Sequence, residues 1–499
     1  MLYPKNLTSL LGFEKVREAI NKKCVSEEGR IAIQKLEFNT NPAKIQLSLD
    51  QTDEMKKIMD SGYSFPLYTF SQIHDTLDRA RIPGGFVEMD ELFALKNFLE
   101  IYDKCVSFIK TFIDFEIICL TNLIPEQEVN PALFRNLDNV FEPNGDLRAN
   151  ASPELRKIRQ EQLAKESSLR KKMTSLHDQF SSQGYISDDL APTIRNGRAC
   201  VAVKAEYKRV VKGMIHDESS TGQTTYIEPE QVVLINNELT ELHYRERREI
   251  IRILTDLTDK IRENIPQLKI GSSFLAYLDL IRAKALFAQD LKAIKPIINQ
   301  NNKVEIIQGK HPLLLLNPNE NHKIVSNDFI FDIETRLLLI SGPNAGGKSV
   351  ALKTFGLLQY MLQTGILLPV DETSSFKIFD QIFADIGDQQ SLEDDLSTYS
   401  AHLTNMKHFL THANKKTLVL IDEFGTGTEP EYGGAIAETI LENIVETGAY
   451  GLITTHYANL KVYAQNTDGI QNGAMMYDIR SLTPLYKMVL GEPGRSYAL

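Results

Sequence analysis

At 499 residues the chain has room for about three domains of ~150 residues each, and its 42% hydrophobic and 24% charged content describes a soluble multi-domain protein rather than a disordered one. No apolar run approaches the ~20 residues of a membrane span, and "MLYPKNLTSLLGFEKV" lacks the basic start and unbroken apolar core of an export signal, so no membrane partner and a cytoplasmic location are expected. A formal net charge of -11 excludes a globally basic nucleic-acid binder, and the four scattered cysteines (Cys24, Cys105, Cys119, Cys200) have no metal-binding or disulfide spacing.

Residues 1–150 read as a helical core. "FEKVREAINKKC" and "MDELFALKNFLEIYDKCVSFI" repeat apolar residues at three-and-four spacing, with a break at "IPGG". Residues 151–295 read as a long antiparallel helical arm. Ser152 is the expected N-cap, Pro153 the first helical residue, and Glu154 the acid of the first turn. Leu155, Ile158, Gln162, Leu169, Met173, Leu176 and Phe180 mark a narrow coiled-coil-like seam as far as about Gln183. Leu239, Leu242, Ile250, Ile253, Leu257 and Ile261 mark the returning one.

Between the two helices, at about 186–229, an Asn-Gly hairpin signal and short β-branched runs predict a small antiparallel sheet at the tip of the arm. Residues 190–214 carry six basic side chains (Arg195, Arg198, Lys204, Lys208, Arg209, Lys212) against the single acid Glu206. That excess suits a phosphate backbone, or merely a soluble hairpin. The polar stretch "HDESSTGQTTYIEP" (216–229) falls within the same tip, where its residues need no core.

Residues 296–499 alternate short apolar runs ("LLLIS", "QIFADI", "TLVLID", "GLITTH") with helical patterns, which predicts a parallel sheet covered on both faces. Within it, "LLLISGPNAGGKS" places G-x-x-x-x-G-K-S between a strand and a helix. There the loop of Gly342, Pro343, Asn344, Ala345, Gly346 and Gly347 can cradle phosphates with the backbone N–H groups of its non-proline residues, Lys348 can reach the β- and γ-phosphates of ATP, and Ser349 can hold Mg²⁺. The run "TLVLIDE" ends in Asp422, suited to the Mg²⁺ shell, and Glu423, suited to activating water. His456, closing "GLITTH", is either a structural strand-end histidine or a sensor of the γ-phosphate. Ser397 and Thr398 precede a helical pattern and read as a helix cap or as a further anion site.

"SGPNAGGKS", "DIGDQQSLEDDLSTYSAHL", "LIDEFGTGTEPEYGGAIAETIL" and "ITTHY" resemble the ATPase domain of the MutS family, and "ASPELRKIRQ" with "IRNGRACVAVKAEYKRVVKG" resembles its second bacterial type, MutS-two. The resemblance implies a helical lever whose coiled-coil arm carries a β clamp, followed by an α/β P-loop ATPase domain of the ABC type, C-terminally incomplete here. It implies an adenine seat at Ile324 and Val325, a homodimer in which Ser397 and Thr398 complete the partner's γ-phosphate site, and hydrolysis of ATP with Mg²⁺. It also implies a clamp on branched or mismatched DNA that suppresses homologous recombination, or alternatively a ribosome and rRNA partner in the splitting of collided ribosomes.

Mismatch repair is the weakest of these readings, because the helical lever begins at the start of the chain with no mismatch-reading domain before it. Phe86-Val87-Glu88 matches the reading triplet but lies between helical patterns, a coincidence. The chain stops at "GEPGRSYAL", where the family continues through the ATPase domain to an Smr nuclease module, so it reads as a fragment without that nuclease.

Overall fold

The computed structural model describes all residues except 113–116, 187–190, 300, 318–323, 344–345, 388–394, 426–429, 479–480, 482, 493 and 495–499, together with the side chains of 395–399, 430 and 431. The chain forms two units, one of residues 1–69, 103–126 and 273–499, the other of residues 70–102 and 127–272.

Within the first unit, β1 (Leu2–Tyr3), β2 (Thr335–Ser341), β3 (Gln381–Asp385), β4 (Thr417–Ile421), β5 (Tyr450–Thr454), β6 (Gly469–Asp478) and β7 (Thr483–Leu490) form a seven-stranded sheet among the described residues, in the order β1-β3-β4-β5-β2-β6-β7. All neighbours are parallel except β6 and β7. The central runs Leu337–Ile340, Leu418–Ile421 and Leu452–Ile453 are buried on both faces, as parallel strands covered by helices must be. Those helices include α1 (Lys348–Gln363), α2 (Asp395–His412), α3 (Pro430–Thr447) and α4 (Ala458–Asn466).

Residues 1–69 belong with this sheet, a grouping different from the three successive segments read from the sequence. Leu2 pairs with Ile382 and Tyr3 with Phe383, while Leu7, Phe13, Val16, Ile20 and Leu49 share one buried cluster with Phe355 and Leu362 of α1. A two-residue strand carries no periodicity for a sequence reading to find.

The second unit holds the arm. Ser152 Oγ accepts the amide of Leu155 at 3.0 Å and caps the helix Pro153–Ser182. Its buried face is Leu155, Ile158, Gln162, Met173, Leu176 and Phe180. The returning helix Val233–Glu263 runs antiparallel to it: Ser152 bonds Glu249, Arg159 bonds Glu246, and Gln162 bonds Glu246. Two seam positions differ, the first being Leu169, which is half-buried against the cluster under the arm sheet. Ile250 is only half-buried, and its neighbour Glu249 is buried instead, its carboxylate accepting from Ser152 Oγ at 2.6 Å and from Arg252.

Between these helices, strands Thr193–Arg195, Arg198–Lys204, Thr224–Pro229 and Gly213–Glu218 form an antiparallel sheet in that spatial order. Asn196 (φ 50°) and Gly197 (φ 75°) occupy the left-handed conformations of the tight hairpin turn that this pair favours. The sheet packs Val201, Val203 and Ile227 on Met173, Leu176 and Phe180. The 216–229 stretch is therefore a hairpin whose Ile227 joins that cluster, and its Glu228 is fully buried as well, against the expectation that its polar residues need no core.

Candidate functional site

The site lies at the C-terminal ends of β2, β4 and β5, where open α/β sheets leave a crevice. After Ser341 the chain turns through Gly342 (φ 143°) and Gly347 (φ 90°), where a Cβ would approach Met475 to 3.1 Å and Tyr486 to 3.0 Å respectively. These two positions need glycine for conformation and for space. Asn344 and Ala345 lie outside the described residues.

Lys348 opens α1 and is only 3% exposed. Its Nζ folds back to donate to Gly342 O at 2.9 Å and Pro343 O at 3.0 Å. Burial pushes its pKa down to about 8, opposed by the nearby negative charges of Glu423 and Asp422 and aided by Lys461. Ser349, the next residue, is half-buried.

The five residues of β4 are buried, and they deliver Asp422 and Glu423 to the same end of the sheet. The Asp422 amide donates to Asp385 O at 2.9 Å. Thr454, fully buried at the end of β5, donates its hydroxyl to Asp422 Oδ1 at 2.5 Å and accepts the Glu423 amide at 2.8 Å. Glu423 has φ 49°, a conformation a non-glycine residue holds at a cost of order 1 kcal/mol or more and which recurs at functional sites. Two residues past β5, His456 Nε2 is buried without a hydrogen-bond partner among the described residues. Burial, then the charges of Lys348 and Lys461, lower its pKa and favour the neutral imidazole.

Ile324 and Val325 line a cleft of about 210 Å³ together with Gly347, Val350, His311 and Tyr486. The expected apolar seat thus adjoins the glycine loop. Tyr486 and His311 were not foreseen. Tyr486 comes from β7, more than a hundred residues after the loop, and no local pattern marks it. His311 stays neutral, its pKa pushed down to about 4 by burial and by Lys353. Ser397 and Thr398 fall within the first turn of α2 rather than before it, and their side chains lie outside the described residues.

Residues 338–499 match MutS domain V. Over 497 residues (99% of this chain), it is 37% identical to Endonuclease MutS2 of Lacticaseibacillus paracasei, covering 62% of that relative. Endonuclease MutS2 of Clostridium beijerinckii is 38% identical over 490 residues (98% of this chain, 61% of the relative) and that of Enterococcus faecalis 37% over 498 residues (99% and 62%). This chain belongs to the MutS family. It spans about 62% of the length of the MutS2 proteins it matches.

In this MutS-family chain the six basic residues of the arm sheet divide into two groups. Arg198 donates to the buried carboxylate of Glu228 at 2.8 Å and to Asn237. Arg195 lies over the Tyr226 ring at 4.2 Å, Lys204 Nζ donates to Gly184 O at 3.1 Å, and Lys208 pairs with Glu218 at 3.2 Å. Arg209 and Lys212 are exposed, with no ion-pair partner among the described residues. No group of three or more potential metal ligands occurs among the described residues, and no helix among them is long and apolar enough to cross a membrane.

Proposed function

We propose that this chain is an ATP hydrolase of the P-loop type that couples nucleotide turnover to a nucleic-acid grip by the Pro153–Glu263 arm. The observation that carries the reading is the convergence of Lys348, Asp422 and Glu423 beside the Gly342–Gly347 loop, with the Ile324–Val325 cleft adjoining Gly347. The loop amides and the N-terminus of α1 bind the phosphates. Lys348 exchanges its two loop carbonyls for phosphate oxygens, and the purine packs in the apolar cleft.

Ser349 and Asp422 would hold Mg²⁺. Few protein ligands suit that ion, which takes one or two carboxylates and fills its shell with phosphate oxygens and water. When bound it neutralises the charge on the transferred phosphoryl group. Glu423 accepts the proton of the attacking water, and neutral His456, whose Nε2 has no partner among the described residues, donates to a γ-phosphate oxygen. Ser397 and Thr398 act across a homodimer.

The arm holds duplex DNA through its phosphates, with branched or mismatched duplex as the target and restraint of recombination as the consequence. The exposed Arg209 and Lys212 support this part.

Hydrolysis and binding of ATP should be measured for wild type, Lys348→Ala and Glu423→Gln. We expect no binding in the first variant, and retained binding with turnover lowered roughly 10²-fold or more in the second. Near wild-type hydrolysis by Glu423→Gln would overturn the assignment. Binding to ribosomes but not to branched DNA would replace the DNA target with rRNA.

A further inference from the structure

A second group of polar side chains lies beside the acidic pair. Asp385, at the end of β3, is only 6% exposed. Its carboxylate accepts His402 Nδ1 at 2.6 Å on Oδ2 and Asn405 Nδ2 at 2.8 Å on Oδ1. Both donors come from α2, the helix whose first turn holds Ser397 and Thr398. Asn405 Oδ1 in turn accepts the Tyr3 hydroxyl of β1 at 2.7 Å. The same aspartate reaches the other way through its backbone, where Asp385 O accepts the Asp422 amide at 2.9 Å. Asp385, His402, Asp422 and Glu423 line one small cleft.

We propose that Asp385 is a positioning residue whose side chain holds α2 and whose carbonyl holds the Asp422–Glu423 turn, so that the first turn of α2 and the hydrolytic carboxylates are set by one shared contact.

The proposal rests on the hydrolase reading above. At 3.6 residues per turn, Thr398 lies about one turn before His402, so a rotation or shift of the first turn is felt at the Asp385 contact within a single turn of helix. The bond is charge-assisted and partly desolvated, the kind that fixes geometry. Asp385, first, and Glu423 hold the His402 imidazole above its ordinary pKa against the opposing effect of burial, which strengthens the bond to the carboxylate. Tyr3 adds packing to the hydroxyl bond: its ring stacks on His408 of the same helix at 3.9 Å and meets Phe383 of β3 edge-on. Residues at the start of the chain thereby brace the same helix against the same strand.

The test compares Mg·ATP affinity with kcat in this chain for Asp385→Asn, His402→Ala and His402→Asn. Asparagine can place its amide near the position of Nδ1 and keep the donation to Asp385, whereas alanine cannot. We expect kcat to fall ~10-fold or more in Asp385→Asn and His402→Ala, the scale of a small misplacement of reacting groups, while nucleotide affinity stays within about twofold and His402→Asn recovers most of the rate. Should His402→Ala fail to fold, His402→Gln fills the space without a donor at that position and must show the same split.

Unchanged kcat in both Asp385→Asn and His402→Ala, a loss of affinity equal to the loss of rate, or no recovery in His402→Asn overturns the positioning role. A wild-type chain that binds no ATP overturns the hydrolase reading and this inference with it. Wild-type turnover with indifferent His402 variants removes this inference alone.

Discussion

Thr454 orients both acids of the site: its hydroxyl donates to Asp422 Oδ1 at 2.5 Å and accepts the amide of Glu423 at 2.8 Å. Thr454→Val keeps the shape and removes both bonds. The buried hydrogen bonds predict a loss of ~1–3 kcal/mol in urea unfolding. Turnover should fall about 10-fold or more, because the carboxylates lose their alignment. Turnover at the wild-type rate would show that the acids are held without Thr454.

Lys348 predicts a proton effect on nucleotide binding. Burial lowers its pKa to about 8 in the free chain, and phosphate contacts favour the charged ammonium and raise it again. Binding at pH 8 should therefore take up protons, and affinity should weaken as pH rises through about 8. Calorimetry in buffers of different ionisation enthalpy reads the uptake directly, and proton release would contradict the sign. The same depressed pKa means that folding loses a proton between about 8 and 10.5, so this group makes the free chain more stable as pH rises through that window.

Arg209 and Lys212 should carry the salt dependence of nucleic-acid binding. Each replacement by alanine should reduce the magnitude of the log-log salt slope by about 0.9. Arg198→Ala should act differently, by destabilising the arm sheet, since its guanidinium serves Glu228 and Asn237. Equal changes in salt slope from Arg198→Ala and Arg209→Ala would contradict this division. Lys208 falls between the groups, because its pair with Glu218 is exposed on both sides and can be traded for a phosphate at little cost.

Glu228 gives the arm sheet an acid limit. Burial would raise its pKa, but hydrogen bonds from Asn236, His216 and Arg198 together outweigh that and hold it below the ordinary glutamate value. A depressed folded-state pKa supplies stability above the unfolded value of about 4.5 that is lost as pH falls through the folded value. Circular dichroism of acid unfolding should show that component, and Glu228→Gln should remove it while costing ~1–3 kcal/mol near neutral pH. An unchanged acid transition in Glu228→Gln would place the limit elsewhere.

Features carried by neighbouring residues were legible in the sequence. The Ser152 cap, the Asn196–Gly197 turn and the glycine loop before Lys348 each depend on local backbone demands that a few residue types satisfy. Thr454 was hidden inside an apolar run, where a buried hydroxyl reads as one more β-branched strand residue. The Asp385–His402 bond joins residues of unremarkable local pattern, and Tyr486 reaches Gly347 only because β7 folds back along β6. The basic tip shows the converse limit. Counting charges marked residues 190–214 as basic, but only the fold reveals that Glu228 occupies Arg198 from within.

The pairing of Leu2 with Ile382 also sets an order of events during synthesis. At roughly 5–20 residues per second the ribosome needs roughly 20–75 s to make the partner of β1 after β1 itself has emerged. Residues 127–272 form one uninterrupted stretch of the second unit and can collect most of their contacts in that interval. Meanwhile Leu7, Phe13, Val16 and Ile20 wait with their apolar surface uncovered, because the residues that bury them, Phe355 and Leu362 among them, have yet to be translated. The sheet end bearing Asp422 and Glu423 is thus completed late, and the opening residues of the chain are where a nascent-chain chaperone would find something to hold.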